Sequence, residues 1–333
     1  MKNFYIGFIL LFFSCDKSEQ MVLVQDTGEA QGTFYNIQYL SENGKSYKIQ
    51  IDSLLKRVDS SVSIYKSYSI ISKLNNGEKV QTDDIFNSVY SEAVNVYLTT
   101  EGYFDCTVSP LVSYWGFYTN WGQKNIDVDS LRIQEILKSV GTNKTYRLDS
   151  SVFLEPDVQI DFNAIAQGYS VDLIADLFED IDIHNYLIEV GGEIKASGVN
   201  EDNKVWKVGI DKPLEQIDIY DRFQFILELD NKSLATSGNY RKFYEKDGVK
   251  FSHTINPMTG YPVQNRLLSV TVMTNKCSLA DAYATAFMAM GVEKTKKLVN
   301  LIDVQLDVYL IYTDKDGSWK TYISPGMQEK IIN

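Results

Sequence analysis

From residue 186 onward the chain changes rhythm, and that change limits its fold more than any other feature. Strand-like runs rich in β-branched and aromatic residues follow one another at 186–190, 205–210, 223–229, 267–273 and 308–313. The first half has an opening strand at 33–39 and then helical spacing at 49–58 and 85–98; further helices are expected at 164–178, 279–290 and 293–301. Strands grouped in runs, without strict alternation with helices, predict an α+β fold. No repeat, low-complexity block or long linker interrupts the chain after residue 31, so one compact catalytic unit is expected over 32–333.

Charge narrows the choice of ligand. A formal net charge of −12 argues against a nucleic-acid partner, because phosphate backbones call for basic surface. A phosphate-bearing ligand would need a cation beside it.

The N-terminus carries Lys2, an apolar run over 4–13 and then Ser14-Cys15. The run is too short to span a bilayer but suits the apolar region of a signal peptide. A small residue before Cys15 resembles the lipobox of bacterial lipoproteins. The expectation is a signal peptide over 1–14, a lipidated Cys15 and a polar tether over 15–31, giving an exported, membrane-anchored protein on the periplasmic side. An ordinary signal peptide cut nearby is the alternative. Cys106 and Cys277 fit no zinc spacing or disulfide framework and read as small buried hydrophobes.

One of the two histidines, His253, lies in Ser252-His253-Thr254-Ile255-Asn256-Pro257-Met258-Thr259-Gly260-Tyr261-Pro262. Turn residues this dense place a histidine instead of packing it, and an unperturbed pKa of about 6.5 suits a general base. In Cys277-Ser278-Leu279-Ala280-Asp281-Ala282-Tyr283-Ala284-Thr285, Asp281 and Thr285 stand one helical turn apart. A carboxylate and a hydroxyl so placed are hard donors suited to Mg²⁺. Ser278 as N-cap with Asp281 closing a capping box explains the same residues, and both readings stay open locally.

Four other segments could contribute to a site. Residues 160–172 read as a short strand turning into a helix capped by Asn163, where free amides could seat a pyrophosphate and Ala164, Ala166 and Gly168 permit close approach. Gly191-Gly192 after a strand would leave Glu193 exposed for polar contacts. Thr236-Ser237-Gly238-Asn239-Tyr240-Arg241 reads as a polar turn, and 102–112 combines Tyr103 and Phe104 with Asp105, as a planar-ring site would.

In shared order, these segments resemble the ApbE-type flavin transferases. The resemblance runs from Gly32-Thr33-Phe34-Tyr35 through Tyr65, Asn75, Phe104-Asp105, Trp115-Gly116-Phe117, 164–168, Gly191-Gly192-Glu193, Ser237-Gly238-Asn239-Tyr240 and 253–262 to 280–285. It implies a T-fold-like architecture of two intertwined halves. It also implies an enzyme that uses FAD and Mg²⁺ to attach FMN, through a phosphoester bond, to a threonine or serine hydroxyl of an acceptor protein, releasing AMP. Acceptors of the family carry an Asp-x-x-Thr-Gly-Ala type of sequence and include flavin-bearing subunits of redox-driven ion pumps and related electron-transfer proteins.

Carried over by position, the metal would fall to the Asp281 and Thr285 side chains with backbone oxygens of Ala164 and Ala284. FAD would meet Phe34, Tyr65, Phe104, Asp105, Asp161, Gln167, Glu193 and Ile255, and His253 would be the base. Three positions depart from the family pattern: Phe34 where methionine is frequent, Gln167 where lysine is common, and Asn256 where aspartate is common. Gln167 removes a positive charge and leaves the cation more phosphate charge to neutralise. Two other activities would use the same pocket: hydrolysis of FAD to FMN and AMP, and storage of FAD without catalysis.

Overall fold

The structure is a computed structural model that describes residues 20–118, 128–213, 222–239, 243–246 and 249–332. The signal-peptide and Cys15 expectations lie outside these residues, as do Tyr240 and Arg241. The chain begins with β1 (Met21–Ala30), β2 (Thr33–Glu42), α1 (Lys48–Val62), α2 (Ile70–Asn75), α3 (Asp84–Thr99), α4 (Ser109–Tyr114) and α5 (Ser130–Leu137). The hairpin β3 (Thr145–Leu148) and β4 (Ser151–Leu154) leads to α6 (Ala166–Asp180), β5 (Tyr186–Val190), β6 (Glu193–Ser197), β7 (Trp206–Asp211) and β8 (Phe223–Leu229). Next come β9 (Lys232–Gly238), β10 (Phe243–Lys246), β11 (Val249–Ser252), β12 (Leu267–Thr274), α7 (Cys277–Met290) and α8 (Val292–Val299). The chain closes with β13 (Asp307–Thr313), β14 (Trp319–Ile323), α9 (Pro325–Gln328) and β15 (Ile331–Ile332).

One antiparallel sheet of eight strands, ordered β1-β2-β5-β6-β9-β12-β13-β14, organises the molecule. Alternation along its inner strands separates two cores. Val270, Val272, Val308 and Leu310 point to a cluster with α3 and α7, whereas Met273, Tyr309 and Ile311 meet Val208, Leu227 and Leu229 of the three-stranded sheet β15-β8-β7. Burial on both faces is why 267–273 and 308–313 read as nearly continuous apolar runs. The α+β expectation holds.

Two segments differ from their sequence readings. Residues 21–30, expected within the tether, form edge strand β1, in register with β2 from Met21↔Glu42 to Ala30↔Thr33. Half of its residues are exposed, while Leu23, Val24 and Ala30 pack partly buried against the cores and buried Asp26 accepts hydrogen bonds from Tyr39 at 2.6 Å and Ser46 at 2.8 Å. Ser237, expected in a turn, lies in the central strand β9, where pairing with Val270 of β12 overrides weak strand propensity. Thr236 and Thr271, directly opposite, join their hydroxyls at 2.9 Å.

Candidate active site

The site grows from the contact between α6 and α7. At Gly168 a Cβ would lie 2.3 Å from the Cys277 carbonyl oxygen, so only glycine lets the helices approach this closely. Ser278 is not the N-cap: Lys276 holds that position without a side-chain hydrogen bond. Asp172 of α6 instead accepts from the Cys277 amide, the Ser278 amide and the Ser278 hydroxyl, each at 2.9 Å.

Asp281 does not close a capping box. It turns to α6 and accepts the Gly168 N–H at 3.3 Å, its single hydrogen bond among the described residues. In a regular helix that N–H would go to the carbonyl of Ala164. The carboxyl is buried, and burial pushes its pKa up to about 7, opposed only by the Gly168 amide.

One turn along α7, the Thr285 hydroxyl lies 3.3 Å from that of Ser237 on β9. Among the described residues no group of three or more His, Cys, Asp or Glu side chains could hold a metal. One carboxylate with hydroxyl and carbonyl oxygens nearby is a hard-donor set of the kind that fits Mg²⁺ and not a soft metal. Ala284 is buried beside Thr285, and Ala164 precedes the first turn of α6.

Asp161 lies upstream in a turn, not the expected strand. The helix starts at Ala166 with Ile165 as an N-cap lacking a side-chain bond, so Asn163 does not cap it. Asn163 serves Asp161 instead: its amide donates to one carboxylate oxygen at 2.7 Å and its side chain to the other at 3.3 Å. The Tyr118 hydroxyl also donates to that second oxygen. Burial raises the Asp161 pKa while Tyr118 and Asn163 oppose the rise.

Neighbours hold this turn in place. Asn75 makes two bonds of 2.8 Å to the backbone of Ile160, and the Asp161 amide donates to the Cys106 carbonyl at 2.7 Å. Tyr65 is exposed, takes the Asn163 side chain at 3.3 Å and sets its ring edge-on to Tyr118, with centroids 6.4 Å apart. Sequence reasoning missed Tyr118; its only signal was a place in the aromatic run that begins at Tyr114.

Four side chains expected at FAD are buried among protein partners. Phe104 is buried in the main core. Asp105 is hydrogen-bonded to its own loop and to a distant turn, accepting from the Thr107 amide and hydroxyl at 2.8 and 2.6 Å and from the Thr142 hydroxyl and amide at 2.9 and 3.2 Å. Ile255 packs in a core with Leu111 and Trp115. Glu193, expected to be exposed, is buried at the start of β6, because the hairpin turn is complete by Gly192.

That turn does gather two other predicted residues. Gly191 and Gly192 have φ of +68° and +109°, which a two-residue hairpin requires. The Gly191 amide donates to the Phe34 carbonyl at 3.0 Å, and a Cβ on Gly191 would sit 2.9 Å from the Gln167 side-chain nitrogen. Gln167, Gly191 and exposed Phe34 thus meet at the start of α6.

His253 is half-buried and follows β11 on a tightly bonded turn. Ile255 bridges Pro262, the Gly260 amide donates to the Asn256 carbonyl at 2.8 Å, and the Trp115 indole donates to the Gly260 carbonyl at 2.7 Å. The Thr254 hydroxyl donates to the Asn239 side chain at 3.2 Å. Asn239 lies two residues beyond Ser237, so the histidine turn is tied to the strand that meets Thr285. A separate cavity of about 590 Å³ between α3 and α6, lined by Glu92, Tyr169, Asp176, Lys195 and Lys276 among others, includes none of the residues expected at FAD or metal.

Known proteins resemble this chain in both sequence and fold. Residues 31–310 match the ApbE family. The FAD:protein FMN transferase of Vibrio cholerae serotype O1 is 34% identical over 337 residues, covering 97% of each chain. That of Escherichia coli K12 is 30% identical over 342 residues, covering 97% of this chain and 95% of the relative. The solved flavin transferase ApbE from Vibrio cholerae superimposes with a TM-score of 0.83 at 32% identity, covering 93% of this chain and all of that one. The apo form of Pseudomonas stutzeri flavinyl transferase ApbE also gives 0.83, at 28% identity and with 93% and 97% covered. With sequence and fold in agreement over nearly its whole length, the chain belongs to the ApbE family.

Proposed function

We propose that this protein is an FAD:protein FMN transferase that requires Mg²⁺ and modifies a threonine or serine hydroxyl of an acceptor protein. The observation that carries the reading is Asp281: a buried carboxylate with one hydrogen bond, one turn from the Thr285 hydroxyl. Such a group is costly to bury unless a cation or proton compensates it.

Asp281 and Thr285, with the Ala164 and Ala284 carbonyls, would hold the ion. Mg²⁺ supplies charge neutralisation at the pyrophosphate. Phe34, Tyr65, Asp161 and Gln167 would bind and orient FAD. His253 would take the acceptor's hydroxyl proton as that oxygen bonds to the FMN phosphorus. The anhydride P–O bond breaks, and AMP leaves with its electron pair.

The apolar run over 4–13 and Cys15 support a lipid-anchored, exported enzyme. Among the described residues no helix is long and apolar enough to cross a membrane. Family resemblance supports flavin-carrying subunits of redox-driven ion pumps, or related electron-transfer proteins, as acceptors.

The test is incubation with FAD, Mg²⁺ and an acceptor fragment bearing the Asp-x-x-Thr-Gly-Ala type of sequence, read by mass spectrometry. Acceptor carrying FMN is the expected product. Free FMN without labelled acceptor would mean hydrolysis, and intact FAD would mean storage. His253→Ala should keep FAD binding and lose transfer by roughly a hundredfold to ten-thousandfold; undiminished transfer would remove His253 as the base.

A further inference from the structure

We propose that Asp172, outside the predicted ligand set, is a positioning residue that fixes where α7 begins and thereby where Asp281 stands for the cation. The inference rests on the Mg²⁺ reading above and deepens it. Asp172 and Gly168 are one turn apart on α6, and both meet the first turn of α7. Gly168 touches the Cys277 carbonyl, while Asp172 takes the Cys277 and Ser278 amides and the Ser278 hydroxyl.

One turn further along α7, Asp281 returns to the Gly168 amide. The two helices thus exchange carboxylates in a closed circuit. Lys276, the N-cap, brings no side-chain acceptor, so this carboxylate from another helix replaces the missing cap and also matches the positive end of the α7 dipole. Lys195 of β6, 3.3 Å away, ties the same carboxylate to the sheet. A slip of α7 by one residue, about 1.5 Å along its axis, would carry Asp281 away from the Gly168 amide.

Asp172→Asn keeps the side chain's shape but replaces one acceptor oxygen with an amino group facing donors. Ser278→Ala removes one of the three α7 donors and serves as the milder variant should the first fail to fold. Mn²⁺ affinity without FAD is read by electron paramagnetic resonance, FAD affinity without cation by flavin fluorescence, and amide exchange at Gly168 by NMR.

Asp172→Asn should weaken Mn²⁺ binding roughly tenfold to a hundredfold and Ser278→Ala about threefold, with FAD affinity changed no more than about twofold. Exchange at Gly168 should quicken about tenfold relative to the rest of α6. Wild-type Mn²⁺ affinity in both folded variants, or in Ser278→Ala alone if Asp172→Asn does not fold, would overturn the assignment. If the wild-type protein binds no Mn²⁺, the cation reading fails, and exchange at Gly168 still decides the role of Asp172: no selective change there would overturn it too.

Discussion

Asp172 and Asp281 are both buried, both bridge α6 and α7, and differ in how fully the protein satisfies them. Asp172 receives three hydrogen bonds of 2.9 Å and a lysine, whereas Asp281 receives one N–H at 3.3 Å. A carboxylate surrounded by donors is finished as a structural part. One left with a single donor is held ready for something the fold does not itself provide. The same contrast separates Asp105, with two donors from Thr107 and two from Thr142, from Asp281.

Replacing Asp281 with asparagine tests the contrast most severely. Turnover should fall on the order of a thousandfold with the loss of the charged donor. The apo protein's stability should change in the opposite sense. The folded pKa is about 7 against an ordinary 3.8, so between those values the native state binds more protons than the unfolded one. Stability contributed by the protonated acid is therefore present below about pH 4 and lost as pH rises toward 7, at no more than about 1.4 kcal/mol per pH unit. Thermal melts in EDTA should show that slope in the wild type and a flatter one in Asp281→Asn. A variant as pH-sensitive as the wild type would show that Asp281 is compensated after all.

Gly168→Ala attacks the contact the two carboxylates share. A methyl group 2.3 Å from the Cys277 carbonyl must push the helices apart, at a cost of about 1–3 kcal/mol. Mn²⁺ affinity should fall with melting temperature. Loss of stability alone would mean that the circuit tolerates separation.

Asp105→Asn probes the satisfied side. With part of its donor network unanswered it should lose about 1–3 kcal/mol of stability, while kcat and the KM for FAD of the folded enzyme stay unchanged. A raised KM would mean that Asp105 serves FAD as well as its own hydrogen-bond network.

What could be read from the chain alone was local chemistry at helical or turn spacing. Asp281 and Thr285 are one turn apart in any helix, and the prolines and glycine around His253 announce a bonded turn whatever lies behind it. The architecture was legible where strands are apolar, as at 267–273, and illegible where small polar residues form a strand by pairing with a distant one, as at Thr236 and Ser237 of β9. Nothing local marks Asp172, whose partners lie 105 and 106 residues away. The family resemblance placed Phe104, Asp105 and Ile255 at the ligand by position; that their side chains also pack or hydrogen-bond within the protein depends on which way each one points, which spacing along the chain does not show.

Tyr118→Phe should give the smallest effect and the finest discrimination, because Asp161 falls between the two extremes. It is buried like the others, and its donors are Tyr118 and the Asn163 amide and side chain. Removing the hydroxyl leaves Asn163 alone to oppose the burial that raises the Asp161 pKa, so that pKa should rise further. If Asp161 meets FAD as a charged acceptor, Tyr118→Phe should bind FAD about threefold to tenfold more weakly at neutral pH, and the loss should deepen as pH falls, because protonation sets in sooner. Fluorescence titrations of FAD across the acid range would show this as a midpoint displaced to higher pH. An unchanged midpoint with a lower melting temperature would place Asp161 beside Asp172 as a structural carboxylate, in contrast to Asp281.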